Sequence, residues 1–277
     1  MTNYRCQGWV WGAASHPGGR TEQQDRWEVL TWSDRRSLLA VIADGMGGHL
    51  EGALGAQAVV EATSQFAREQ YPLFVEHPED ALVRLCQQCQ STLIAASAFA
   101  HSTVVTLWLH KDQAHWMHVG DSRLYHLREG KRLLRTRDHS VAQMLMELGE
   151  IGEAEIASHP DQNRLYRSLG GEELPKPELG SGQVRGGDLF VMCSDGFWEH
   201  VSETEAWEEA LQARDLEAAA ADLVTQAITR GGAQADNATL VLIRPAIFSV
   251  GNWLRLSPQR STIWLKQSLN RWLTRIP

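Results

Sequence analysis

A chain of 277 residues with 43% apolar side chains can bury one large core, and one domain followed by a tail is the expected organisation. Its net charge of −8 argues against general nucleic-acid binding, because phosphate backbones are held by Lys and Arg. Four cysteines (Cys6, Cys86, Cys89, Cys193) are too few for a secreted disulfide framework, no window approaches the about 18 apolar residues of a membrane span, and the opening residues MTNYRC contain no apolar signal region, so the expected location is cytoplasmic.

In chain order, apolar or alternating runs predict strands near residues 7–14, 27–32, 38–43, 102–110, 114–119, 122–128, 188–193 and 238–244. Helical periodicity is predicted over 52–69, 79–99, 203–212 and 215–229. Cys86 and Cys89 fall inside the second of these, without a second pair, and read as buried thiols rather than a zinc or redox motif. Asp138-His139-Ser140 reads as the cap of a helix starting near Val141. The rest of 141–185, rich in Gly and Pro, reads as an irregular flap. Strand runs separated by paired helices predict an α+β fold, an α-β-β-α sandwich of two antiparallel sheets flanked by helices.

Two of the strand runs end on Asp-Gly: residues 38–43 into Asp44-Gly45, and 189–194 into Asp195-Gly196. A third, 238–243, is preceded by Asp236-Asn237, so antiparallel placement would bring its carboxylate to the same edge of the sheet. Any one of these alone is ordinarily a turn, with Gly supplying positive φ. Together they predict a site, because gathered carboxylates need compensation and hard divalent ions bound through oxygen supply it. The glycine-rich stretch Asp44-Gly45-Met46-Gly47-Gly48-His49 suits close backbone approach to an ion or phosphate.

The segments Arg20-Thr21-Glu22-Gln23-Gln24-Asp25, Asp44 to His49, Gly120-Asp121-Ser122-Arg123, Asp138-His139-Ser140, Ser194-Asp195-Gly196 and Asp236-Asn237-Ala238-Thr239 occur in the order found in metal-dependent protein phosphatases of the 2C type. Over about residues 8–244 the chain resembles the compact bacterial branch of that family. The resemblance implies hydrolysis of phosphoserine and phosphothreonine in proteins by a metal-bridged hydroxide, in opposition to a cognate Ser/Thr kinase. It implies two Mn²⁺ or Mg²⁺ ions, with Asp44 bridging, Gly45 offering its carbonyl, and Asp195 and Asp236 holding the second ion. A third ion at Asp121, shared with Asp195, stays open beside a plain hairpin turn. Arg20 is the implied phosphate clamp, since its planar fork pairs two phosphoryl oxygens.

Gln24 and Asp25 are the implied outer carboxylate positions, and Gln24 departs from the family by replacing a Glu with a neutral amide. Met46 stands where eukaryotic members carry a proton-donating His. Two rivals remain: a pseudophosphatase adaptor that binds phosphoproteins without turnover, and a two-metal phosphodiesterase, which would need a basic channel.

Of the 26 Lys and Arg, five (Arg255, Arg260, Lys266, Arg271, Arg275) lie in 247–277 beside no acidic residue, leaving 21 against all 34 acidic side chains in 1–246. The catalytic unit is therefore expected at 1–246. Residues 247–277 are expected as a basic amphipathic tail that docks back on the body, on a partner protein or on a membrane surface. The expected assembly is a monomer, with no nucleic-acid partner.

Overall fold

The run Ser37–Met46 shows why the chain stacks in layers: Leu38, Ala40 and Ile42 enter one core, while Leu39, Val41 and Ala43 enter another. A strand covered on both faces reads as a continuous apolar run although its side chains still alternate. The computed structural model describes residues 8–33, 36–47 and 49–246. Along them lie β1 (Trp9–His16), β2 (Asp25–Thr31), β3 (Ser37–Met46), α1 (His49–Glu69), α2 (Tyr71–Glu76), α3 (Pro78–Ala96), β4 (His101–Ser102), β5 (Val104–His110), β6 (Gln113–Val119), β7 (Arg123–Arg128) and β8 (Lys131–Arg135). There follow α4 (Val141–Glu147), β9 (Glu178–Gln183), β10 (Asp188–Cys193), α5 (Asp195–Trp198), α6 (Glu203–Gln212), α7 (Leu216–Gly231) and β11 (Ala238–Pro245).

One sheet runs β1-β11-β10-β7-β8 and the other β2-β3-β5-β6-β9, with β4 pairing the end of β3, and every paired neighbour is antiparallel. Leu38, Ile42, Leu107, Phe190, Met192, Val241 and Ile243 fill the space between the sheets. Val41, Trp108 and Met117 pack outward with Val59, Phe74 and Leu85 from α1, α2 and α3. On the other side Val191, Leu240 and Leu242 pack with Phe197, Trp207 and Leu223 from α5, α6 and α7. The four-layer sandwich expected from the residues is the observed architecture. Local signals place the outer helices: Ser202 and Glu205 form a reciprocal cap at the start of α6, and Asp215 accepts from the Glu217 N–H at the start of α7.

The structure corrects the reading at several points. The first Asp-Gly strand does not stop at Asp44 but continues to Met46, because β4 adds its pairing there, Gly45 opposite Ser102. That strand also belongs to a different sheet from β10 and β11, so the Asp residues meet at one end of the sandwich rather than along one sheet edge. The stretch 79–99 ends at Ala96 and is preceded by the separate helix α2, interrupted at His77 ahead of Pro78. Two strands were not foreseen, β8 and, within the irregular 141–185 stretch, β9. Cys86, Cys89 and Cys193 are buried and unbridged, and burial pushes the Cys86 thiol up to about 11 and Cys89 up to about 12, as inert core thiols require. No described helix is long and apolar enough to cross a membrane. The basic tail, Cys6 and the His49 side chain lie outside the described residues.

Candidate metal centre

Antiparallel pairing sets Asp25 of β2 directly opposite Asp44 of β3, an arrangement that two like charges resist. Asp25 is 2% exposed and turns Oδ2 to two hydroxyls of the other sheet side, Ser194 Oγ and Thr239 Oγ1, each donating at 2.7 Å. Its Oδ1 is buried with no partner. Burial pushes the Asp25 carboxyl up to about 7, the two hydroxyls oppose that shift, and the nearby Asp195 and Asp236 charges add to it. Asp25 thus fastens the two sheets together below the site.

Above it, Arg20, Gln24, Asp44, Gly45, Met46, Asp121, Asn163, Leu165, Asp195, Asp236 and Asn237 line one cavity of about 190 Å³. The end of β3 presents Asp44, whose N–H donates to Thr103 Oγ1 at 3.0 Å and whose carbonyl accepts from the Thr103 N–H at 2.8 Å. Gly45 must be glycine for a steric reason. A Cβ there would lie 1.8 Å from the Gly52 carbonyl oxygen, so α1 packs its first turn straight onto the strand backbone. Asp195 opens α5 and accepts from the Gly196 N–H at 2.6 Å. Asp236 precedes β11; its Oδ1 accepts from Asn237 N–H at 2.8 Å and its Oδ2 from Arg20 Nη2 at 2.6 Å. The Arg20 side chain is 59% exposed at the cavity mouth.

The electrostatics are strained in one direction. Burial first, then Asp195, Asp25, Asp121 and Asp236, raise the Asp44 carboxyl well above its ordinary range. Burial and Asp236 raise Asp195 to about 6, moderated by the Gly196 N–H and a hydrogen bond shared with Asp44. Asp121, 3% exposed, is raised by burial and by Asp195. Acidic side chains held in this way accept positive charge readily, and their donor set is all oxygen, which suits Mg²⁺ or Mn²⁺ rather than zinc. The orphaned Asp25 Oδ1 beside them points to the same missing compensation.

The one described cluster with tight metal-ligand spacing is His118, His139 and Glu178, and its neighbours already occupy it. His118 Nε2 lies 2.7 Å from the Arg137 carbonyl and must donate. His139 Nδ1 accepts from the Gly120 N–H at 2.9 Å, and its Nε2 faces the permanently charged Arg167 guanidinium at 3.0 Å. A carbonyl-bound N–H on one ring and a guanidinium against the other disfavour a cation there.

Gln24 lines the cavity and its backbone N–H donates to Asn237 Oδ1 at 2.7 Å. Asp138 corrects the capping expectation: Ser140 alone caps α4, accepting from the Gln143 N–H, while Asp138 forms a buried two-pronged pair with Arg123 at 2.9 and 2.6 Å. That Arg123 stacks 3.4 Å over the Trp198 ring, and Trp198 Nε1 donates to the Asp121 carbonyl at 3.0 Å. The pair therefore supports Asp121 from beneath. Residue patterns singled out neither Trp198, Glu199 nor Asn163, and named Asn237 only within the Asp236-Asn237-Ala238-Thr239 motif, with no role. Asn237 alone had a readable signal, adjacency to Asp236; its Nδ2 donates to the carbonyls of Pro17 and Glu22 and so pins the Arg20 loop beside the site. Glu199, one turn after Asp195, is raised to about 8 by burial and then by Asp195 and Asp236.

A model of the Protein phosphatase 2C family matches residues 13–230. The chain is 31% identical over 207 residues to the serine/threonine protein phosphatase PstP of Mycobacterium tuberculosis, which covers 74% of this chain but 40% of that protein's length. It is 30% identical over 239 residues to the serine/threonine phosphatase stp of Listeria welshimeri, covering 84% of this chain and 94% of the relative. The S. agalactiae serine/threonine phosphatase structure superposes with a TM-score of 0.76 at 27% identity, over 85% of this chain and 99% of that one. The catalytic domain of PstP solved with two manganese ions superposes with a TM-score of 0.67 at 27% identity, over 85% and 97%.

Proposed function

The chain belongs to the protein phosphatase 2C family of serine/threonine phosphatases, and on that premise we propose that it removes phosphate from phosphoserine and phosphothreonine in proteins, against a Ser/Thr kinase, with bound Mn²⁺ or Mg²⁺. The observation that carries this reading is the convergence of Asp44, Asp121, Asp195 and Asp236 on one cavity with Arg20 at its mouth. Asp44, Gly45, Asp195 and Asp236 would hold two ions, and Asp121 with Asp195 a third. Bound divalent ions supply positive charge against the phosphoryl oxygens and lower the pKa of water.

The chain's own groups do the positioning. Arg20 directs a permanently charged planar fork at the cavity and can pair two phosphoryl oxygens, a geometry Lys lacks. Asn237 holds the Arg20 loop through its side chain and the Asp236 carboxylate through its own N–H, so clamp and proposed ligand keep their spacing. Asp25 keeps the Asp44 strand registered against Ser194 and Thr239, and therefore against Asp195. The catalytic unit in this reading is residues 1–246, and 247–277 form an appended tail.

The test is turnover of p-nitrophenyl phosphate and a phosphothreonine peptide with Mn²⁺, with Mg²⁺ and with chelator. Metal-dependent turnover of both is expected. Turnover that persists in chelator removes the metal reading, and metal-loaded protein that binds the peptide without turnover is an adaptor instead.

A further inference from the structure

Arg20 stands on the Asp236 side of the cavity, where its guanidinium is paired. Asn163 and Leu165, from the segment after α4, also line it. That segment is tied down along its length. Val141 N–H donates to the Arg164 carbonyl at 2.9 Å, Tyr166 N–H to the His139 carbonyl at 3.0 Å, Arg164 N–H to the Asp161 carbonyl at 3.1 Å, and Ser140 bridges Leu165. The Gln162 side chain reaches the Glu199 carboxyl, on the turn that carries Asp195. Asn163 is therefore an exposed residue on a fixed support.

Its carboxamide has no hydrogen-bond partner among the described residues, whereas the other Asn in the cavity wall, Asn237, uses both ends of its amide on the protein. A cavity of about 190 Å³ is below the about 300 Å³ at which pockets begin to enclose a drug-sized ligand. It admits a phosphorylated side chain and leaves the polypeptide that carries it across the rim. An exposed carboxamide offers an N–H donor and a carbonyl acceptor side by side, the complement of the C=O and N–H that one residue of an extended strand turns to the same side.

Building on the phosphatase reading, we infer that Asn163 is a specificity-determining residue that hydrogen-bonds the substrate main chain next to the phosphorylated residue. The ligand class is thus an extended phosphopeptide, not the phosphoryl group itself. Small phosphate esters lack the peptide group that Asn163 reads.

The experiment compares kcat/KM of the full chain for a phosphothreonine peptide with kcat/KM for p-nitrophenyl phosphate, in wild type, Asn163→Ala and Asn163→Gln. A neutral hydrogen bond is worth about two- to tenfold, so the peptide-to-ester ratio is expected to fall about fivefold in Asn163→Ala, carried by KM of the peptide. Asn163→Gln, which keeps the amide, is expected to recover part of the ratio. A ratio unchanged within twofold overturns the inference, as does an equal loss on both substrates, which would mark a purely structural or phosphoryl-directed role. Should wild type turn over neither substrate, the phosphatase reading falls. The same ratio is then read from the dissociation constants of the phosphopeptide and of phenyl phosphate, and the two outcomes decide the Asn163 contact in the same way.

Discussion

Asp195→Asn separates the stability of this protein from its metal chemistry. The folded chain raises the Asp195 carboxyl from its ordinary 3.8 to about 6, through burial first and the Asp236 charge second. An acid raised in this way destabilises the fold when ionised, so the folded state binds more protons than the unfolded one between about pH 4 and 6 and stability falls as pH rises through that window. Above it the loss is complete and amounts to about 3 kcal/mol at 1.36 kcal/mol per pH unit. The Asn variant retains an acceptor for the Gly196 N–H and presents a donor to Asp44 instead of a second negative charge. In chelator at pH 8 it is therefore expected to melt about 6–12 °C above wild type, taking about 2–4 °C per kcal/mol for a domain of this size. Added Mn²⁺ reverses the ranking. At a hundredfold excess over the dissociation constant, binding stabilises wild type by about 2.7 kcal/mol per site, whereas the variant lacks one of the proposed ligands. Calorimetric melting with chelator and with Mn²⁺, at pH 5 and pH 8, reads all of this. A variant less stable than wild type in chelator, or one that gains as much from Mn²⁺, would show that Asp195 is not a repelled carboxylate awaiting a cation.

Two further perturbations test the frame around the site. Gly45→Ala places a methyl 1.8 Å from the Gly52 carbonyl oxygen, a backbone atom that cannot swing aside, so α1 and β3 must part by more than about 1 Å. A loss above about 3 kcal/mol is expected in chemical denaturation, together with loss of the Mn²⁺ shift; a midpoint near wild type would mean the two backbones are not in contact. Asp138→Asn leaves the buried Arg123 guanidinium without its counter-charge and is expected to cost about 3–5 kcal/mol at constant denaturant slope. A cost below about 1 kcal/mol would remove the pair as support for Trp198 and Asp121.

Much of the fold was legible where local pattern and burial agree. The apolar runs of β3, β5, β10 and β11 are fully covered by neighbours, so their composition announces them. β8 and β9 were not legible. Lys131–Arg135 is an exposed edge strand made largely of charge, and Glu178–Gln183 contains two glycines in six residues. Gly180 is small because a Cβ there would lie 2.3 Å from the Trp116 ring on the neighbouring strand, a reason that exists only after β6 and β9 pair.

The candidate site divides along the same line. Acidic residues at strand ends beside glycine are chemical facts of the chain, so Asp44, Asp195 and Asp236 could be singled out by residue type and motif order. What their carboxylates experience could not, because it depends on groups distant in sequence. Asp25 receives hydroxyls from 169 and 214 residues away, and Arg20 meets Asp236 across 216. The roles of Asp138 and Trp198 likewise arise from contacts that no local pattern encodes. Short-range preferences write themselves into neighbouring residues, whereas burial and Coulomb interaction depend on distance in space. The chain therefore named the acids that could face a cation, and packing alone decided which share a cavity, which are pushed out of their ordinary range, and which residue stands at the rim.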